Sequence, residues 1–315
     1  MVGLPACSVL PHLHQLSQVQ AQPVSVILSN QQQLTGRLVY VLTQGNGKAQ
    51  ISRLVMSELD GSHAQVLTQV NGSISSLSAD KDGTMLIFTE QQNSFPAIFS
   101  YDIKSRQKTL LTPQRANHFS ANISPDKQKI LLSSSMNQNP EIFLANIDGS
   151  HLQQLTHNAA VDIAPFWSPN QQWFIFTSDR TALYHPQLYR YDFATQAVSR
   201  ITTTGSYSAN AKISPTGDYI SYISKLPNTQ LQRVIKNLAT GQTWSMADDG
   251  ASEAMSFSPT GEYGVYANKS VIQLVSLPTA LDSQIRPVYQ LQLEHIRLPA
   301  KFLANASIRE PIWLK

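Results

Sequence analysis

The residues that carry chemistry in this chain are few and poorly matched to catalysis. Gly205-Ser206-Tyr207-Ser208 comes nearest to a serine nucleophile elbow, but no Gly-x-Ser-x-Gly occurs anywhere in the 315 residues. A hydrolase of that kind needs the elbow and an α/β domain to carry its serine, histidine and acid. His12-Leu13-His14 offers two imidazoles to a metal, in a stretch with no patterned element to fix them. Asp60-Gly61 and Asp148-Gly149 look like fragments of a calcium loop but lack the run of alternating acids that supplies enough oxygen ligands. These pairs read instead as hairpin turns, and neither a metal nor an organic cofactor is expected. The single cysteine, Cys7, excludes an intrachain disulfide and a cysteine-based zinc site.

Composition narrows the class further. Charged residues make up 14% of the chain and the net charge is +3, without a cluster of Lys and Arg, so a nucleic-acid footprint is not expected. No apolar run is long enough for a membrane-spanning helix. Val19-Gln20-Ala21 has the small-x-small form of a signal-peptidase site, and Leu4-Pro5-Ala6-Cys7 loosely resembles a lipoprotein box. The upstream residues form a poor signal core, because His12, His14 and several Gln interrupt it.

What must position any site is a repeat. Ser78, Ser124, Ser168, Ser214 and Ser258 stand at steps of 46, 44, 46 and 44 residues, each between two runs rich in β-branched and aromatic residues. Thr68, Thr112, Thr156 and Thr202 close a later run at steps of 44, 44 and 46. Each unit has four such runs, the third and fourth joined by Asp60-Gly61, Asp148-Gly149 or Thr240-Gly241, which suit turn positions with φ above zero. A period of roughly 40–45 residues with four strands per unit predicts propeller blades and an all-β fold.

The end units complement each other. The run from Gly36 enters at a second-strand pattern, while Arg309 to Lys315 matches a first strand, with Pro311 and Trp313 placed like Pro165 and Trp167. Pairing the two closes a six-bladed ring and removes both free sheet edges. The recurring Pro and Trp read as packing between blades. The last unit carries a longer excursion, including Ile285 to Leu298, part of which should be its outer strand. The domain expectation is an N-terminal extension over 1–33 and one propeller over 34–315.

The segment from Phe166, "FWSPNQQWFIFTSDRTALYHPQLYRYDFATQAVSRIT", together with "PEIFLANIDGSHLQQLT" from Pro140, resembles the repeat of TolB-type propellers. The likeness runs from about Gly36 to the terminal Pro311-Ile312-Trp313. It departs from the family where Asp126-Lys127, Asn170-Gln171 and Thr216-Gly217 replace the usual Asp-Gly, and where 1–33 stands in place of an α/β domain. The resemblance implies a non-enzymatic periplasmic protein of the Tol-Pal cell-envelope system that docks a Pal-like lipoprotein over the channel, as a monomer.

The loops leading into each first strand differ between units while the strands do not, as expected of a recognition surface on a framework. They include Asn71, Gly72, Asn117, His118, Val161, Asp162, Ser206, Tyr207, Ser252, Glu253, Arg309 and Glu310. The protein-binding candidates are Asn117, His118, Asp162, Ile163, Ser206, Tyr207, Glu253 and Arg309. The resemblance places the Pal-binding role on Asn117, His118, Asp162 and Ile163, and ordinary solvated loops remain the alternative. So do a hydrolase or lyase with a channel active site and a cytosolic interaction propeller.

Overall fold

The computed structural model describes residues 25–28, 32–91, 95–112, 116–225, 230–246, 253–279 and 284–315. His12, His14, Cys7, Ser252 and the Val19-Gln20-Ala21 site lie outside them. Six four-stranded antiparallel sheets follow one another along the chain, each in the order first, second, third, fourth strand. Blade 1 is the exception in sequence order: Ser307–Leu314 is its first strand, followed by Arg37–Gln44, Ile51–Glu58 and Gln65–Val70. The pairing runs Ser307↔Thr43 to Leu314↔Arg37, so the ring closes as expected and two residues earlier than Arg309. The first strands of successive blades touch one another around a central channel. In the sixth blade Arg286–Gln292 supplies the fourth strand, followed by a short helix at Ala300–Leu303.

The second strands are buried on both faces, which explains runs such as Trp173-Phe174-Ile175-Phe176. Alternate residues of a strand face opposite sides. Phe174 and Phe176 therefore pack with Leu131 and Ile142 of blade 3, while Trp173 and Ile175 pack with Ala211 and Ile220 of blade 5. The core is thus a series of seams between blades, and Trp167 and Trp313 are buried in two of them.

The recurring serine has a definite task. Ser124, Ser168, Ser214 and Ser258 each accept, on Oγ, the backbone N–H five residues on, at 2.9–3.2 Å. In blade 2 that task falls to Asp80, whose Oδ1 accepts the Met85 N–H at 2.8 Å. Three residues after each of these anchors the chain turns through positive φ, at Gly83, Lys127, Gln171, Gly217 and Gly261. The anchor of blade 2 is therefore Asp80, and Ser78, expected in that role, lies two residues earlier in the strand. The threonines that end the fourth strands have a matching task. Thr112, Thr156 and Thr202 accept the N–H groups of Ile98, Ile142 and Leu188, at the point where the short fourth strand no longer covers the third.

Ahead of the ring, Ser25–Ile27 and Gln33–Thr35 form a two-stranded hairpin. Val26 and Leu34 bury against the seam that also holds Tyr263 and Trp313.

Candidate partner-binding mouth of the channel

The first strands all enter from one face, so the connections from fourth to first strands and from second to third strands open there together. Within each of five first strands the pairing to the second strand shifts register near the middle. Such a bulge frees backbone groups from the ladder and turns a side chain. At the same place in four of them a non-glycine residue has positive φ: Ser76, Ala164, Asn210 and Glu310, at +55°, +52°, +57° and +50°. That conformation costs an L-residue on the order of 1–2 kcal/mol, and all four line the upper chamber of the channel, a cavity of about 120 Å³.

The freed N–H groups are taken by side chains of the preceding blade. Ala164 N donates to Ser120 Oγ at 3.1 Å, and Asn210 N to Thr177 Oγ1 at 3.0 Å. Leu77 N donates to Glu310 Oε2 and Glu310 N to Glu253 Oε2, both at 2.5 Å. Glu253 Oε1 also accepts Arg309 Nε at 2.7 Å. Burial opposes the charge on Arg309, but the Glu253 carboxylate outweighs it and its pKa is raised. Glu310 is walled in by protein inside the narrow channel. Its pKa is pushed up by burial, with the Glu253 charge acting in the same direction. Lys212 stands in the wall shared by the upper chamber and a lower cavity of about 200 Å³. It donates to Ser256 Oγ at 2.7 Å, and burial pulls its pKa down against the opposing pull of Glu310 and Glu253.

The eight candidate residues divide into three groups. Asn117, Ile163, Ser206 and Tyr207 are half-buried at the rim. Asn117 O accepts the Ser135 N–H, Ser206 N and Oγ both donate to Lys225 O, and burial raises the Tyr207 phenol pKa. Glu253 and Arg309 form the ion pair inside the mouth. His118 and Asp162, expected on solvent-facing loops, are instead the first residues of inner strands and fully buried. Asp162 Oδ2 accepts Arg180 Nη2 at 2.7 Å and Asn158 Nδ2 at 2.8 Å. Burial raises its pKa, partly offset by Ser178 and by the Arg180 charge. The two hold the rim from behind. His185 Nδ1 meets the Ser206 backbone carbonyl at 3.1 Å, while the Ser206 hydroxyl goes to Lys225 O.

Lys212 was not among the expected site residues. Position by position from the anchors, it takes the place filled by Ser78, Asn122 and Ser256 elsewhere, and Glu310 takes that of Ser76, Ser120 and Ala164. A charged residue at a position held elsewhere by Ser78, Asn122, Phe166 and Ser256, or by Ser76, Ser120, Ala164 and Asn210, was the available signal. Among the described residues no group of three or more His, Cys, Asp or Glu stands close enough to hold a metal.

A ring of six such blades around a central channel, closed by the strand Ser307–Leu314, defines a propeller scaffold. The TolB beta propeller domain family matches residues 27–299, and this chain belongs to that family. A curated relative, the Tol-Pal system protein TolB of Francisella tularensis, is 25% identical over 298 residues, 90% of this chain and 66% of that protein. The same-named protein of Anaeromyxobacter dehalogenans is 30% identical over 114 residues, 36% of this chain and 26% of its own length. The crystal structure of TolB from Acinetobacter baumannii superposes with a TM-score of 0.73 at 27% identity, covering 88% of this chain and 66% of that one. The chain thus spans about two thirds of the length of the Francisella and Acinetobacter proteins.

Proposed function

We propose that this chain is a non-enzymatic propeller that acts in the bacterial periplasm as a monomer and binds an envelope protein, a Pal-like lipoprotein, over the mouth of its channel. The observation that carries the reading is family membership across almost the whole ring, where the named relatives are Tol-Pal system proteins. The mouth supports it through its strained bulges, whose positive-φ residues line the upper chamber of the channel; strain of that kind clusters at functional sites. The contact set is Asn117, Ile163, Ser206, Tyr207, Glu253 and Arg309, with His118 and Asp162 as the buried support behind them. A standard interface would bury about 800 Å² of this face.

The test is titration of the full chain with the lipid-free domain of the Pal protein from the same organism. Micromolar or tighter binding is expected. Ser206→Arg, which places a bulky charge on the half-buried rim, should weaken it about tenfold, or 1.4 kcal/mol, without changing the melting temperature. No binding by the wild-type chain at tens of micromolar would remove the reading. Localisation is tested separately by fusing the gene, with its own upstream region, to a reporter active only after export; cytoplasmic retention would contradict it.

A further inference from the structure

The connection from second to third strand in blade 4 displays two apolar side chains to solvent: Leu183 is 65% exposed and Tyr184 83%. The loop that carries them is rigidly built. Ala182 N donates to Asp179 O and His185 N to Ala182 O, making two successive turns. Asp179 Oδ2 accepts the Tyr184 N–H at 3.3 Å, while its Oδ1 accepts the N–H of Val161 at 2.9 Å. One carboxylate therefore ties this loop to the rim loop that leads into Asp162. Below it, Arg180 is locked by Asp162 and Ser178, with its guanidinium over Phe176 and Tyr189.

Tyr184 is held at φ +62°. A tyrosine in the left-handed region is strained, and this one's side chain gains no burial in return. Large exposed apolar residues are also unevenly distributed. Of the eight among the described residues, Phe95, Met136, Val161, Leu183 and Tyr184 all fall on connections of the mouth face, in blades 2 to 4. The turns of the opposite face carry none of the eight.

We propose that Leu183 and Tyr184 are the anchor by which the protein docked at the mouth is held off-axis over blade 4, entering an apolar recess on that partner. This rests on the reading of the mouth as a protein-binding site. The extent of a protein interface identifies the occupant. A footprint of about 800 Å² is a disc of radius roughly 16 Å, and a second-to-third connection lies only about 5–10 Å outside the inner strand. A partner docked on the mouth and displaced toward blade 4 therefore covers this loop, and the Asp179 tie makes loop and rim one surface. Tyrosine presented rigidly is also what binding hot spots favour, because little entropy is left to lose.

The experiment compares the full chain with the double variant Leu183→Ser, Tyr184→Ser, using the lipid-free Pal domain as probe. Both side chains are exposed, so the melting temperature should not move. The dissociation constant should rise at least thirtyfold, and any smaller rise overturns the anchor while leaving the mouth site standing. Failure of the wild type itself to bind removes the mouth reading and the anchor with it. Sedimentation of both proteins covers the other occupant: a wild-type dimer that the double variant lacks assigns the patch to a second copy of this chain and overturns the proposal. Asp179→Ala keeps both apolar side chains but cuts the tie, and should cost about tenfold through lost preorganisation; no loss would overturn that part.

Discussion

Glu310 Oε2 accepts the backbone N–H of Leu77 at 2.5 Å. The strand that closes blade 1 is thereby bonded across the channel wall to blade 2, while its own N–H at Glu310 is held by Glu253 of blade 6. One residue joins three blades.

That placement has a pH signature. Burial and the Glu253 charge raise the Glu310 pKa above its ordinary value. Between the two values the native state holds a proton that the unfolded chain has released, so unfolding free energy falls as pH rises through this window. Glu310→Gln keeps an acceptor for Leu77 and removes the titration. Urea midpoints from about pH 4 to about pH 8 should fall more steeply for the wild type than for the variant. Parallel profiles would mean that Glu310 carries its charge without penalty.

Closure can be tested at two points on the seam. Trp313 is buried against Tyr263 and donates Nε1–H to Thr35 O at 3.2 Å. Trp313→Ala should cost about 3–5 kcal/mol. Gly36 has φ +125°, and a Cβ there would lie 2.4 Å from Leu314 O. Gly36→Ala should cost about 1–3 kcal/mol through strain and that clash. Denaturant unfolding measures both, and unchanged midpoints would contradict the closed ring.

The assignment of Asp80 as the anchor of blade 2 gives a third comparison. Its carboxylate accepts the N–H groups of Thr84 and Met85 and pairs with Lys127 at 2.6 Å. Asp80→Ala should cost about 2–3 kcal/mol, and Ser78→Ala, which loses one bond from Asn122, about 1 kcal/mol. Asp80→Ser restores the residue of the other units and should fall between wild type and Asp80→Ala. The reverse order of costs would return the role to Ser78.

The period, the four strands and the closing pair of strands were legible in sequence because each rests on a repeated physical need: apolar runs between seams, a hydroxyl to cap a turn, and a partner for each edge. The anchor of blade 2 was misread because a carboxylate does the same accepting as a hydroxyl, while a serine two residues away preserved the look of the motif. Burial of His118 and Asp162 was not legible. Asp162, beside a loop, looks solvated until Arg180 from the second-to-third connection of its own blade and Asn158 from the incoming loop enclose it. The bulges leave no mark in residue type, since Ser76, Ala164, Asn210 and Glu310 share only a position. Leu183 and Tyr184 could be seen as apolar within a polar loop, but only the Asp179 bonds place them beside the mouth.

Closure by the last strand also sets a clock. Arg37–Gln44 waits for Ser307–Leu314 as its partner, some 260 residues further along the chain. At about 5–20 residues per second of synthesis that wait lasts roughly 13–50 s. Throughout it Val39, Tyr40, Val41 and Leu42, all fully buried in the finished ring, lie on an open strand edge of the nascent chain. The residues of the sixth blade are made before the first blade has its partner strand, so the ring can close only once Ser307–Leu314 has been synthesised.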